Sequence, residues 1–297
     1  MKDIYQGVYI NLARSTKRKT YIENHLKELG LFSYFRRFEA FDGDSFRPSE
    51  GNAHLTSYEK ACFASHLEIM QKLANDDKHL HIIEDDAKMD ADIKPVLHQM
   101  LTQNFAHAKW DMLFLGLYHP IESYTYEHIL QKISGNSDLH VFDMKQMQSS
   151  IFGAFSLVIH KNSIGKIVQM LERDLYKMQI DHLYRSYILN GALKGVSFLP
   201  MLAYPKTDVF GSDMKNRTIP EDLLFSEELF ACSLKALMRG ANMQEVYDEI
   251  ATLATKNSIT LTPPKQNLAL DDVLKALIQS AQPVLDRRTA YLAQQDK

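Results

Sequence analysis

The chain has little cysteine. Of its 297 residues two are cysteine, Cys62 and Cys232. They match no paired-cysteine metal spacing and suit a reducing compartment in which both stay thiols. Long apolar runs are also missing: none approaches the roughly 18 residues that a helix needs to cross a bilayer. The opening Met1-Lys2-Asp3-Ile4-Tyr5-Gln6 does not read as a signal peptide. These absences lead us to expect a cytoplasmic protein, with any membrane association peripheral, at the inner face. An excess of base is absent as well. The formal net charge is −3, so a generic nucleic-acid binder is not expected and no nucleic-acid partner is assigned. There is no internal repeat and no low-complexity segment. Hydrophobic content of 45% and charged content of 24% are ordinary for a soluble globular chain. The length allows one large domain, or one domain with an appendage.

What is present is organised around His79-Leu80-His81-Ile82-Ile83-Glu84-Asp85-Asp86-Ala87. Leu80, Ile82 and Ile83 give this stretch the character of a short buried strand that runs into three acids. Adjacent carboxylates repel unless water or a cation screens them. At the carboxyl end of a strand in an α/β sheet, a cation would sit where such folds bind ligands. Hard cations such as Mg²⁺ or Mn²⁺ favour oxygen donors, commonly one or two carboxylates plus substrate phosphates. A solvated acidic turn is the competing reading.

The chain before it reads as a strand–helix–strand unit. Gly7 to Leu12 is the first strand, and Ser15 or Thr16 caps the following helix. Tyr21, Ile22, His25, Leu26 and Leu29 line one face of that helix, which stops at Gly30. Residues 34–41 form a second strand. This spacing implies a parallel βαβ unit. Arg14, Lys17 and Arg18 then lie just past the end of strand one, facing the same crevice as the acids. Thr56 and Glu59 have the capping-box pattern, and the helix they open carries Cys62, Phe63, His66, Leu67, Met70 and Leu73 on one stripe. His66 therefore points to the core, as a structural or a functional histidine.

Further on, residues 110–116, 155–160 and 195–200 read as buried strands, and 141–144 as a short one. A helix is expected from 161 to about 171, and Asp181 and His182 open the next. Residues 118–138 read as a long loop, a candidate flap over a site. From Pro220 onward the pattern turns helical, over 223–238, 243–254 and 271–292. We expect domains at 1–218 and 219–297, the second an α-helical extension. Three uses are open to that extension: packing on the main domain, a homodimer contact, or a membrane surface.

Several separated segments resemble glycosyltransferase family 25, which includes bacterial lipopolysaccharide and collagen galactosyltransferases. They are Asn11, Leu12, Arg14 and Arg18; then Leu55, Thr56, Glu59, Cys62, Phe63, Ser65 and His66; then Glu84 to Ala87. Trp110-Asp111, Leu115-Gly116, the small-residue strand at 153–159, Asp181 and Ser212-Asp213 follow in order. The resemblance spans about residues 5–215. It implies a GT-A-like fold that binds a nucleotide sugar. By the same resemblance, Asp86 and Glu84 hold Mn²⁺ or Mg²⁺ against the diphosphate, and Glu84 or Asp85 contacts the ribose or a metal-bound water. Asn11, Arg14, Arg18 and His66 join the nucleotide-sugar site. The family is classed as inverting, which requires a base opposite the leaving group. Asp181 is the first candidate, Asp213 the second and Asp208 the third, with a helix N-cap the competing role for Asp181. The implied partners are a UDP-sugar donor, carrying galactose or glucose, and a glycan or glycolipid acceptor such as lipopolysaccharide.

Two other classes stay open. Ala13 and Ala61 stand where many members carry an acid and a glycine, which suits a non-catalytic sugar-nucleotide or glycan binder. Acids at strand ends also suit aspartyl-phosphate proteins, although the phosphatase signature Asp-x-Asp-Gly-Thr is absent.

Overall fold

The structure, a computed structural model, describes residues 3–48, 54–104, 109–116, 140–146, 153–199, 201–205, 242–256, 260–261 and five positions between 272 and 279. In chain order the elements are β1 (Tyr5–Asn11), α1 (Thr16–Glu28), β2 (Phe35–Glu39), α2 (Ser57–Leu73), β3 (His79–Glu84) and β4 (Ala87–Met89). Next come α3 (Ile93–Gln99), β5 (Met112–Phe114), β6 (His140–Asp143), β7 (Ser156–Ile159) and α4 (Ile164–Arg173). Then follow α5 (Ile180–Leu189), β8 (Gly195–Leu199), β9 (Ala203–Pro205) and α6 (Met243–Lys256).

Seven strands make one sheet in the order β2-β1-β3-β7-β5-β8-β6. β1 lies between β2 and β3 and is parallel to both, as the βαβ pattern predicted. The rest of the sheet is mixed. β7 enters antiparallel between β3 and β5, and β6 pairs antiparallel with β8. The fold class is thus α/β with a central mixed sheet, where the sequence had led us to expect parallel pairing.

Side-chain alternation sends the two faces of this sheet into separate layers. Val8, Ile10, Leu80 and Ile82 pack against Phe63, Leu67 and Met70 of α2 and Ile167 and Leu171 of α4. Tyr5, Tyr9 and Ile83 face Ile22 and Leu26 of α1 and Ile93 and Leu97 of α3. The capping box at Thr56 and Glu59 is formed: Glu59 N donates to Thr56 Oγ1, and Thr56 N donates to Glu59 Oε2. Ser15 holds the N-cap position of α1, as the sequence led us to expect, but its side chain makes no cap bond.

β4 was not anticipated. It starts directly after Asp86 and pairs antiparallel with β9. Gly116 holds this small sheet close, because a Cβ there would lie 2.0 Å from the Ala203 carbonyl oxygen. The backbone after the acids is therefore fixed by its pairing with β9. α6 falls on the 243–254 segment predicted to be helical. The expected helices at 223–238 and 271–292 and the loop at 118–138 lie outside the described residues, apart from the few positions after 271.

Two buried histidines make stability depend on pH. His81 Nδ1 lies 2.6 Å from the Tyr5 hydroxyl and Nε2 lies 3.0 Å from Ser156 Oγ. A neutral ring donates through one nitrogen and accepts through the other, so both bonds can form. Burial pushes the His81 pKa down to about 3. His79, stacked on Trp110, is pushed down to about 4 by burial, helped by His160 and Lys161. Below about pH 6.5 the unfolded chain takes up protons that the folded chain refuses. Their contribution is therefore whole above that pH and declines as pH falls, by up to about 1.4 kcal/mol per pH unit for each histidine. We expect the denaturation midpoint to drop between about pH 6.5 and about 4.5. His79→Phe keeps the stacking and should flatten the slope by up to one proton; an unchanged slope would refute the assignment.

Candidate active site at the ends of β1 and β3

The register of β1 on β3 builds the site. Ile10 is opposite Glu84, so the next residues of each strand, Asn11 and Asp85, meet. Asn11 Nδ2 donates to Asp85 Oδ2 at 2.6 Å and to the Ser15 carbonyl at 3.1 Å. Arg37 on β2 holds Asn11 in turn: Nε donates to Asn11 Oδ1 at 3.0 Å and Nη2 to its carbonyl at 3.4 Å. Arg18, in the first turn of α1, donates from Nη1 to Asp85 Oδ1 at 3.0 Å and to Asp86 Oδ2 at 3.3 Å. Asn11, Arg18, Asp85 and Asp86 are all buried.

Among the described residues the charges do not balance. One guanidinium faces two carboxylates, and Glu84 stands beside them. Desolvation disfavours a buried anion, and like charges add to the penalty. Burial pushes the Asp86 carboxyl up to about 7; Arg18 opposes the rise, and Glu84 and Asp85 add to it. Among the described residues nothing donates a hydrogen bond to Asp86 Oδ1, although it is buried. An orphaned, partly compensated carboxylate oxygen fits a hard cation, which would supply both the missing charge and the missing partner.

The resemblance had Arg18 and Asn11 face a nucleotide. In the structure the Arg18 guanidinium and the Asn11 amide are engaged by the acids themselves. Arg14 lies farther out: it pairs with Asp42, sits 3.7 Å from Asp44, and is 37% exposed. Lys17 is exposed at the same helix start.

His66 is wholly buried on α2, and neither ring nitrogen has a hydrogen-bond partner among the described residues. Its Nε2 lies 3.7 Å from Glu84 Oε1. Cys62, one turn earlier, completes a group of three ligand-type atoms that lie within 4.8 Å of one another. Asp181 is half-buried in the first turn of α5, with Oδ1 accepting from His182 N at 2.8 Å. Gln179 holds the capping position, which corrects the N-cap reading of Asp181. Asp213 and Asp208 lie outside the described residues.

Sequence reasoning missed two parts of this arrangement. Arg37 reaches Asn11 only because β2 pairs with β1, and no local pattern signals that. Cys62 and His66 did carry a signal, an i, i+4 pair of ligand types on one helix face; attention to cysteine pairs alone passed over it.

The chain leaves β1 towards β2 on one side and leaves β3 towards the other side of the sheet. The crevice between their carboxyl ends is the place where open α/β sheets bind ligands. Fold and site together define the class: an α/β protein with a cluster of charged side chains at the ends of two parallel strands. Within that class, the chain belongs to glycosyltransferase family 25 (LPS biosynthesis protein), whose model matches residues 6–184. It is therefore a glycosyltransferase. The match includes Asn11, Arg18, His66, the three acids and Asp181, and ends before Ser212-Asp213. Among solved structures, the chain is similar to mouse xyloside xylosyltransferase 1 in its apo form, with a TM-score of 0.34 and 6% identity over 63% of this chain and 81% of that one. It is also similar to the galactosyltransferase LgtC in complex with donor and acceptor sugar analogues, with a TM-score of 0.33 and 14% identity over 64% of this chain and 70% of that one. No curated protein matches the sequence. Among the described residues no helix is long and apolar enough to cross a membrane.

Proposed function

We propose that the protein is a metal-dependent, inverting hexosyltransferase with a GT-A-like donor site. It moves galactose or glucose from a UDP-sugar to a glycan acceptor of the lipopolysaccharide or lipooligosaccharide class. The observation that carries this reading is Asp86, a buried carboxylate at the crevice between β1 and β3, one oxygen of which has no hydrogen-bond partner among the described residues. Asp86 and Glu84 would hold Mn²⁺ or Mg²⁺. When bound, such a cation offsets the charge that grows on the leaving nucleoside diphosphate.

The chain's own residues do the rest. Arg37 fixes Asn11, Asn11 holds Asp85, and Arg18 ties Asp85 to Asp86, so the acids are oriented before a ligand arrives. Arg14, at the rim, offers a guanidinium to phosphate oxygens. Asp181 is assigned as the base that takes the acceptor hydroxyl proton, with Asp213 as the second candidate. Residues 1–218 form the catalytic unit, and the helical extension serves a homodimer contact or a cytoplasmic membrane surface.

Transfer from UDP-galactose and UDP-glucose to truncated lipooligosaccharide acceptors, with Mn²⁺ present, tests the proposal. We expect a product of inverted anomeric configuration by NMR, and a loss of about 10²- to 10⁴-fold in kcat for Asp181→Asn. A product of retained configuration, or no transfer from either donor, would sink it.

A further inference from the structure

We infer that Cys62, His66 and Glu84 form a second cation site, one that takes a thiophilic divalent ion of the zinc class. The three ligand atoms, a thiol sulfur, an imidazole nitrogen and a carboxylate oxygen, already lie within 4.8 Å of one another. Cys62 and His66 are one turn apart on α2, so both side chains leave the same helix face. Glu84 ends β3 and presents Oε1 3.7 Å from His66 Nε2. Metal–nitrogen and metal–sulfur bonds of about 2.0 and 2.3 Å in a tetrahedral site put neighbouring ligands between about 3.3 and 3.5 Å apart. Small rotamer changes at Cys62 and Glu84 close that difference.

The second observation is the state of His66. It is fully buried, and among the described residues neither ring nitrogen has a hydrogen-bond partner. Leaving buried polar atoms unmatched costs free energy. His81, buried just as deeply, shows the alternative, with a partner on each nitrogen. A bound cation would give His66 a use for one nitrogen, and a thiolate and a carboxylate would neutralise the ion's two charges. Tyr184 of α5 carries another buried hydroxyl with no hydrogen-bond partner among the described residues. Cys62 and Glu84 are only half-buried, which leaves a way in for the ion.

The donor set separates this site from the one at Asp86. Sulfur and imidazole select zinc-class ions, whereas all-carboxylate sites suit Mg²⁺ and Mn²⁺. Glu84 belongs to both sets. Cys62 and Asp86 belong to one each, and they make the test discriminating.

The experiment is a titration of Co²⁺ into the metal-free full-length protein, followed by absorption. We expect one equivalent to produce a thiolate-to-cobalt charge-transfer band with tetrahedral visible bands, and Zn²⁺ to displace both. Cys62→Ser should abolish the charge-transfer band, and His66→Gln should weaken binding at least tenfold. Cys232→Ser and Asp86→Asn should leave the spectrum unchanged. Cys62→Ser is nearly isosteric, so the test stands even if His66→Gln fails to fold. A wild-type protein without the band, or a band that follows Cys232, overturns the proposal. The readout does not involve sugar transfer, so failure here is distinct from failure of the transferase reading.

Discussion

Asp86→Asn is expected to lower sugar transfer by about 10³-fold while the protein stays folded. The substitution keeps the side-chain shape and leaves Arg18 an oxygen to donate to. It removes one negative charge from a buried cluster in which, among the described residues, the Arg18 guanidinium serves two carboxylates. Stability should therefore hold or rise, because the lost charge was only partly compensated. Ligand binding should move the other way. Calorimetry with UDP and Mn²⁺ should show metal-dependent binding in the wild type and none in the variant. A folded Asp86→Asn protein with wild-type transfer would remove the central role given to this carboxylate. Lower stability together with intact transfer would make the acidic turn a structural feature only.

The parts of this site that were legible in the sequence are those that one strand or one helix determines. The run Leu80–Ile83 followed by three acids could be placed at a strand end because β3 is short, apolar and abruptly terminated. The Thr56–Glu59 box could be read because its partners are three residues apart. The direction of β7 could not be read. Residues 156–159 are buried on both faces, and a run without an exposed face gives no sign of its direction. β4 and α3 were missed because three residues and seven residues are too short to show a period. The role of Arg18 was half legible. Its position one turn into α1 put it near the crevice, but its partner depends on register. Asn11 meets Asp85 because Ile10 pairs with Glu84, a fact held by the whole sheet and by no local segment.

Arg18 therefore supports the second large effect. Arg18→Met keeps most of the buried side-chain volume and removes the charge. It takes from the buried Asp85 and Asp86 the guanidinium that pairs with both, and breaking a buried ion pair from one side costs about 3–5 kcal/mol. Urea denaturation should show that loss as a lower midpoint at an unchanged slope. Adding Asp85→Asn to Arg18→Met should restore part of it, with a coupling of about 1–3 kcal/mol in the double-mutant cycle, since the two residues share one contact. Arg14→Met provides the contrast. Its pairs with Asp42 and Asp44 are over a third exposed, and such surface pairs contribute about 0–1 kcal/mol. Arg14→Met should leave stability nearly intact and weaken UDP binding instead. If Arg18→Met also costs under about 1 kcal/mol, the acids are solvated in solution, and the buried, undercompensated charge that selects a cation at Asp86 does not exist. If the loss is large and Asp85→Asn repairs it, Arg18 is what allows three acids to stand together at a strand end before any cation or nucleotide arrives.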